Sequence, residues 1–335
     1  MRICIISYFN LTLCVLCNIY HNTCLISVGK NMPLISVIIP VYNVEQHLEK
    51  CLESVLKQSL RDIEVICVND GSTDGCAKIL KKFAANDKRL KVITQENKGL
   101  SVARNNGLSH ATSEYIAYVD SDDFVHPEFL QKLYEMAQEY KADIVGCDFA
   151  KIYANEDLPN IQNLKPKEYS PALPVLLHRK NFIHFNVWNK LYTRAVIKSI
   201  DFVPGIYFED WVYNSCVFAG AKSFVWLGEK LYGYRISDNS IMRSRFNRKK
   251  LDDYVTGIHA VRKFYKEKFP DQWKEVRNTR IARTVKMLMN SARRSHNAQL
   301  VADAKIALKK LYNLKLIGYS GLSVPNKLKL FYFLH

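Results

Sequence analysis

Three carboxylates fall within four residues, Asp120, Asp122 and Asp123, directly after the apolar run Tyr115-Ile116-Ala117-Tyr118-Val119. A second acidic pair, Glu209-Asp210, places Asp210 90 residues beyond Asp120. Clustered acids repel one another unless solvent, donors or a cation compensates. At the carboxyl end of a parallel strand, where α/β proteins bind ligands, a hard divalent ion is the natural compensator. A separate carboxylate suits proton abstraction. Each group also has a plain alternative. Asp-x-Asp can be a turn leading into the helix expected from Pro127, and Glu209-Asp210 suit a helix N-terminus.

The flanking pattern predicts the elements that would position these acids. Leu34 to Pro40 is a continuous apolar run, as a buried parallel strand should be, and Asn43 is the expected N-cap of a helix carrying Leu48, Cys51, Leu52, Val55 and Leu56. Ile63 to Val68 reads as a second strand, followed by Asn69-Asp70-Gly71-Ser72-Thr73-Asp74-Gly75 and a helix with Ile79, Leu80 and Phe83. A strand over Leu90–Thr94, a short helix over Leu100–Leu108, the pivotal strand at 115, a helix over Pro127–Tyr140 and a strand over Asp143–Phe149 complete the unit. Such alternation predicts a mostly parallel sheet flanked by helices. Residues 151–180 read as a surface excursion. Three strand ends, at Tyr42-Asn43, Asp70 and Asp120, then face one edge, with Lys98 and Arg104 as nearby cations. There is no G-x-G-x-x-G and no Walker loop.

The 335 residues carry a formal charge of +16, unevenly placed. From Arg243 onward 22 Lys and Arg face 6 Asp and Glu, so residues 1–242 are balanced. Beyond Lys249 the pattern is helical and basic, with Arg277, Arg280, Arg283 and Lys286 every three residues against Val276, Ile281, Val285, Leu288 and Met289. A solvated face, nucleic acid and an anionic membrane are the three readings of such charge. No nucleic-acid reader motif accompanies it, and Leu328 to Leu334 offers an interfacial edge, so the membrane surface is favoured. The nine cysteines are scattered, with one C-x-x-C pair, Cys14 and Cys17, inside the interrupted apolar start of the chain and no second pair to complete a zinc site, so the expectation is a reducing, cytoplasmic setting without zinc or a disulfide framework. Within residues 1–31, Ile3 to Ile19 is mostly apolar but interrupted by Ser7, Asn10, Thr12 and Asn18. They fit neither a signal peptide nor a spanning helix, and the expectation is a start assigned too early, with a membrane anchor as second choice.

The segments SVIIPVYN, EVICVNDGSTD, NKGLSVARNNGL and YIAYVDSDD, with NVWNKLYTR, VPGIYFEDW and YGYRISDNSIMR later, closely resemble the inverting family 2 glycosyltransferases of bacterial surface-polysaccharide type. The resemblance spans roughly residues 34–243 and implies a GT-A (Rossmann-like) α/β fold over 32–243, with a nucleotide-sugar half to about 150, followed by a basic helical C-terminal extension over 244–335. It implies that Pro40, Tyr42 and Asn43 lie along the nucleotide and that Asp70 reads the base, most often uracil. Lys98 and Arg104 would sit near the ribose or diphosphate. Asp120 would approach the ribose, and Asp122 would ligate Mg²⁺ or Mn²⁺. Asp210 would be the general base, with Glu209 as its rival. Trp188 would line the substrate site, and Tyr234-Arg235 with Ser240 and Arg243 would form a loop over the donor.

The expected activity is hexose transfer from a nucleotide sugar, with UDP the leading nucleotide, to a glycan or lipid-linked acceptor at the inner membrane face. A sugar nucleotidyltransferase is the first rival, but Pro40-Val41-Tyr42-Asn43 lacks the Gly-rich basic loop it would need. A catalytically inactive sugar- or lipid-binding relative is the second, and the intact acids at 70, 120, 122 and 210 argue against it.

Overall fold

The computed structural model describes residues 3–8, 11–17, 24–28, 32–153, 156–177, 184–236, 245–316 and 324–334. Strands β1 (Ile3–Tyr8), β2 (Leu11–Cys17) and β3 (Cys24–Val28) form an antiparallel meander, a sheet of their own. The described parts of the interrupted apolar run, Ile3–Tyr8 and Leu11–Cys17, are therefore extended rather than helical. No helix among the described residues is long and apolar enough to cross a membrane.

The main sheet contains β4 (Ile35–Val41), β5 (Ile63–Asp70), β6 (Leu90–Gln95), β7 (Tyr115–Tyr118), β8 (Phe124–Val125), β9 (Ile144–Ile152), β10 (Lys167–Tyr169), β11 (Lys190–Thr193) and β12 (Phe224–Arg235). Its order is β10-β12-β9-β11-β7-β4-β5-β6, with β8 paired to β12. The pairs β4/β5, β5/β6, β4/β7 and β9/β12 are parallel, and β11 runs antiparallel between β7 and β9. Helices α1 (Glu45–Leu56), α2 (Cys76–Asn86), α3 (Leu100–His110) and α4 (Phe129–Glu139) are the crossovers expected from the apolar periodicity. Strand side chains alternate between faces. Ile35, Val37, Ile39 and Val41 join the core beneath α1 and α4, while Ile38 joins the one beneath α3. Both faces of β4 and β5 are buried, which is why these strands are apolar throughout.

Two local expectations are corrected. Asn43 is not the N-cap of α1; Val44 is, and Asn43 sits at φ +50. Its side chain instead accepts hydrogen bonds from the Thr73 N–H (2.8 Å) and hydroxyl (3.3 Å), tying two strand-end loops together. The 151–180 segment is only partly a surface excursion, because β10 pairs with β12 and the short helix α5 (Leu173–Leu177) buries Leu173, Val175, Leu176 and Leu177.

After β11 come α6 (Arg194–Ile197) and α7 (Glu209–Gly220), and after β12 the C-terminal helices α8 (Arg248–Lys268), α9 (Trp273–Val276), α10 (Ala282–Arg294), α11 (Ala298–Asn313) and α12 (Val324–Leu334). One continuous apolar cluster joins α7 to α8 and α10. Gly257 of α8 allows the close approach, since a Cβ there would lie 2.6 Å from the Trp211 ring and 2.8 Å from Val212. A π-turn at Arg277–Ile281 lies within the stretch of three-residue basic spacing and widens the helix between α9 and α10. Val276, Ile281, Val285, Leu288 and Met289 are fully buried, as their spacing requires.

Candidate active site

The chain leaves β4 toward β5 on one side and returns to β7 on the other, so β4/β7 is a topological switch point, where open α/β sheets form a ligand crevice. β7 pairs with β4 only as far as Ile38 and Tyr118, whereas β5 follows β4 to Val41. Pro40, with no N–H to donate, lies in the stretch that has lost the β7 ladder. It is buried, and the chain emerges at the exposed Tyr42 and Asn43.

Asp70 ends β5 and is 3% exposed. Its carboxylate accepts from Gln95 Nε2 (2.7 Å), the Lys98 N–H (2.9 Å) and the Gly99 N–H (2.8 Å). Asp70 thus shapes the 97–99 loop from beneath. Gly71 is needed where that loop crosses, since it holds φ +71 and a Cβ would lie 2.7 Å from the Asn97 nitrogen. The exposed Lys98 side chain bonds no other described residue.

The acids at the end of β7 divide into three roles. Asp123 is 1% exposed and structural: it accepts from the Tyr232 hydroxyl (2.9 Å) and the Arg235 N–H (2.7 Å), joining the β7 end to β12. Asp120 bonds Arg104 Nη2 at 2.7 Å, and its N–H donates to the Tyr232 oxygen at 3.1 Å. Asp122 is half-buried, and its carboxylate is paired with no other described residue; only its backbone carbonyl is engaged, by Arg235 Nε at 2.9 Å. Burial, then the neighbouring Asp120 charge, lifts the Asp122 carboxyl to about 6.

Arg104 connects this edge to the second acidic pair. It is 1% exposed, and its Nη1 donates to Glu209 Oε1 (2.6 Å) and Asp210 Oδ1 (2.8 Å) while Nη2 holds Asp120. The guanidinium also stacks 5.3 Å from the Phe202 ring centre. Burial works against its charge, but Asp210, Asp120 and Glu209 outweigh that and hold it protonated. Three carboxylates share one cation, so the cluster is short of positive charge. Burial is the main reason that the Asp210 carboxyl rises to about 8; Arg104 pulls it down, and Glu209 and Asp120 push it up again. The side chain of Asp210 keeps 20% exposure against 9% for Glu209, so Asp210 is the one a substrate reaches more readily. Both acids begin α7, where the helix dipole favours the ionised form, and they follow Phe208 at φ +62, a strained conformation for a non-glycine residue.

Asp210 Oδ2 also accepts from the Val187 N–H (3.3 Å), at the end of a loop organised by Lys190. Lys190 is fully buried and donates to the carbonyls of His184 (2.9 Å) and Asn186 (2.6 Å) and to Asn189 Oδ1 (2.8 Å). Burial lowers its ammonium to about 7. Trp188 is 5% exposed and stacks on Tyr232 (4.3 Å) and Tyr234 (5.5 Å), so it is packed among the β12 aromatics. Ser240 and Arg243 lie outside the described residues.

The structure therefore brings Asp120, Arg104, Glu209 and Asp210 into one cluster, with Asp122 beside it, and sets Tyr42, Asn43 and the Asp70-held loop along the same edge. The pairing of Arg104 with Glu209 and Asp210 was not anticipated. One signal for it exists: Ser101, Arg104 and Gly107 recur every three residues on the buried face of α3, so Arg104 points inward.

Residues 36–200 match the family described as Glycosyl transferase family 2. An uncharacterized glycosyltransferase of Haemophilus influenzae is 36% identical over 220 residues, covering 64% of this chain and 84% of that protein. The chain belongs to glycosyltransferase family 2. The uncharacterized glycosyltransferase EpsJ of Bacillus subtilis is 40% identical over 219 residues, 63% of each chain. Glycosyltransferase GlyA of Streptococcus pneumoniae is 36% identical over 218 residues, 62% of this chain but 31% of that protein. The matched segment thus spans just under two thirds of EpsJ and about a third of GlyA. Among solved structures, S. aureus TarS 1-349 in complex with UDP-GlcNAc superposes with a TM-score of 0.68 over 90% of this chain and 87% of that one, at 20% identity. The mannosyltransferase PcManGT of Pyrobaculum calidifontis, in complex with GDP-Man and Mn²⁺, reaches 0.51 over 90% and 85%, at 16% identity. The GT-A fold expected from the motifs is the fold observed.

Proposed function

We propose that this protein is a metal-dependent, inverting glycosyltransferase that moves a hexose from a nucleotide sugar, with UDP as the nucleotide, to a hydroxyl of a glycan or lipid-linked acceptor in cell-surface polysaccharide synthesis. The observation that carries the reading is the pair of acid sites at the switch point: an Asp122 carboxylate with no partner among the described residues, and an Asp210 bound to the same Arg104 that holds Asp120. In this reading Tyr42, Asn43 and the Asp70-held loop flank the nucleotide, and Lys98 reaches the diphosphate. The acceptor hydroxyl gives its proton to the Asp210 carboxylate as its oxygen bonds to the anomeric carbon. The bond from that carbon to the diphosphate oxygen breaks, and the diphosphate leaves with the electron pair, so the anomeric centre inverts. Arg104 keeps Asp210 and Asp120 in fixed relation, so donor and base are positioned together.

Among the described residues no three His, Cys, Asp or Glu side chains are grouped to hold a metal by themselves. A single uncompensated carboxylate next to a diphosphate fits Mg²⁺ or Mn²⁺, ions bound through one or two carboxylates and substrate phosphates. Asp122 would hold the ion, which supplies Lewis-acid stabilisation of the leaving diphosphate. The Mn²⁺ in the PcManGT complex supports this assignment by fold alone. The basic C-terminal region and the exposed Phe331 and Tyr332 of α12 support a peripheral position on an anionic membrane surface.

The test is transfer and nucleotide release across a panel of nucleotide sugars, with Mn²⁺, Mg²⁺ or chelator. Metal-dependent UDP release from one donor, lost in Asp122→Ala and Asp210→Asn, is expected. No nucleotide binding by calorimetry with any donor would refute the reading.

A further inference from the structure

Arg280 is a half-buried cation that the reaction above does not use. It sits in the π-turn Arg277–Ile281, with its guanidinium 3.7 Å from the Phe185 ring centre and 5.4 Å from that of Trp211. Its Nε is buried without an acceptor among the described residues, and so is the neighbouring Trp211 Nε1. No carboxylate among the described residues pairs with it. Burial lowers the guanidinium to about 10, Tyr254 works against that, and Arg283 adds to it. A guanidinium partly withdrawn from water without a counter-ion is unfavourable, and π-turns recur at functional sites. Two donors without acceptors among the described residues therefore belong to neighbouring side chains beside the π-turn.

Their position relates them to the reacting groups. Trp211 directly follows Asp210, and Phe185 lies two residues before Val187, whose N–H bonds Asp210 Oδ2. Tyr254 completes the surround, stacked 6.2 Å from Trp211. We propose that Arg280 and the Trp211 indole N–H form an anion subsite for a phosphate group carried by the acceptor, walled by Phe185 and Tyr254. A planar guanidinium presents several donors matched to phosphate oxygens, and the indole adds one more. The assignment rests on Asp210 being the base that faces the acceptor. It narrows the acceptor class to phosphate-bearing molecules, whether a polyol phosphate or a prenyl phosphate lipid.

Calorimetry on the full chain, with UDP present to occupy the donor site, tests this with sn-glycerol phosphate and farnesyl phosphate as probes and glycerol and farnesol as uncharged controls. One phosphate probe should bind and its alcohol should not, and which one binds identifies the acceptor type. Arg280→Met should weaken that binding at least about tenfold, and Trp211→Phe, which keeps the ring and removes the N–H, by a smaller factor. The melting temperature of Arg280→Met should equal or exceed that of the unaltered protein, since an uncompensated charge is removed. Absence of binding by either phosphate would overturn the subsite. So would an Arg280→Met protein that melts lower yet binds phosphate unchanged, which would make Arg280 a stacking residue only. UDP titrated alone reports on the donor site separately, so failure there would refute the proposed function rather than the subsite.

Discussion

Removing Arg104 should expose how tightly the two acid sites are coupled. The guanidinium is 1% exposed and lies 2.6 to 2.8 Å from Asp120, Glu209 and Asp210. Arg104→Met keeps much of the volume but leaves three carboxylates facing one another. Loss of one partner of a buried ion pair costs about 3–5 kcal/mol, a large part of the roughly 5–15 kcal/mol that holds a domain folded. The cost depends on pH in a defined direction. Asp210 already has a folded-state pKa of about 8, above its ordinary 3.8, so its contribution to stability is present at low pH and is lost as pH rises through that window. Without Arg104 all three acids move the same way, so the deficit should be smallest near pH 4 and widest near pH 8. Denaturant melts at those two pH values measure it. Arg104→Lys keeps a charge but cannot bridge three carboxylates, and serves for activity. Transfer by the unaltered protein should rise as pH increases through about 8, because the base must be ionised. In Arg104→Lys the rate should fall at least about tenfold and the rising limb should move to higher pH. A melt within about 1 kcal/mol of the unaltered protein at pH 8, with an unchanged pH profile, would refute the coupling.

Glu64 provides an independent acid-side prediction. Burial opposes its charge, but Lys91 (2.6 Å), Ser36 (2.6 Å) and Thr112 (2.7 Å) outweigh it and hold the carboxyl at about 2. Its stabilisation is present above pH 4.5 and is lost as pH falls through about 2, so Glu64→Gln should cost about 2–4 kcal/mol at pH 7 and far less at pH 2, read by chemical denaturation. Gly257→Ala should lower the melting temperature although alanine favours a helix by about 1 kcal/mol, because the added methyl would sit 2.6 Å from Trp211 and overpacking costs about 1–3 kcal/mol. A gain in stability there would mean that α7 and α8 can separate freely. Flotation with vesicles should show binding to anionic but not neutral lipid, weakening with salt. Binding indifferent to lipid charge would remove the membrane reading of the C-terminal region.

Much of the fold was legible because both faces of β4 and β5 are covered, and full burial forces unbroken apolar strands whose polar ends stand out. The acids after Tyr118 and the glycines at 71 and 99 were visible for the same reason: carboxylates and left-handed glycines have no place inside a strand. What the linear pattern could not carry was pairing across long separations. Nothing local states that Arg104 meets Asp210, 106 residues away, rather than a phosphate, because a guanidinium satisfies either. Among three neighbouring acids, only the tertiary surroundings assign Asp123 to Tyr232 and Arg235, Asp120 to Arg104, and leave the Asp122 carboxylate without a partner among the described residues. The basic repeat after residue 276 is likewise ambiguous as a string of charges. Whether Arg280 meets water or the ring of Phe185 depends on the π-turn and on how α10 packs against α7, and helical spacing alone contains neither.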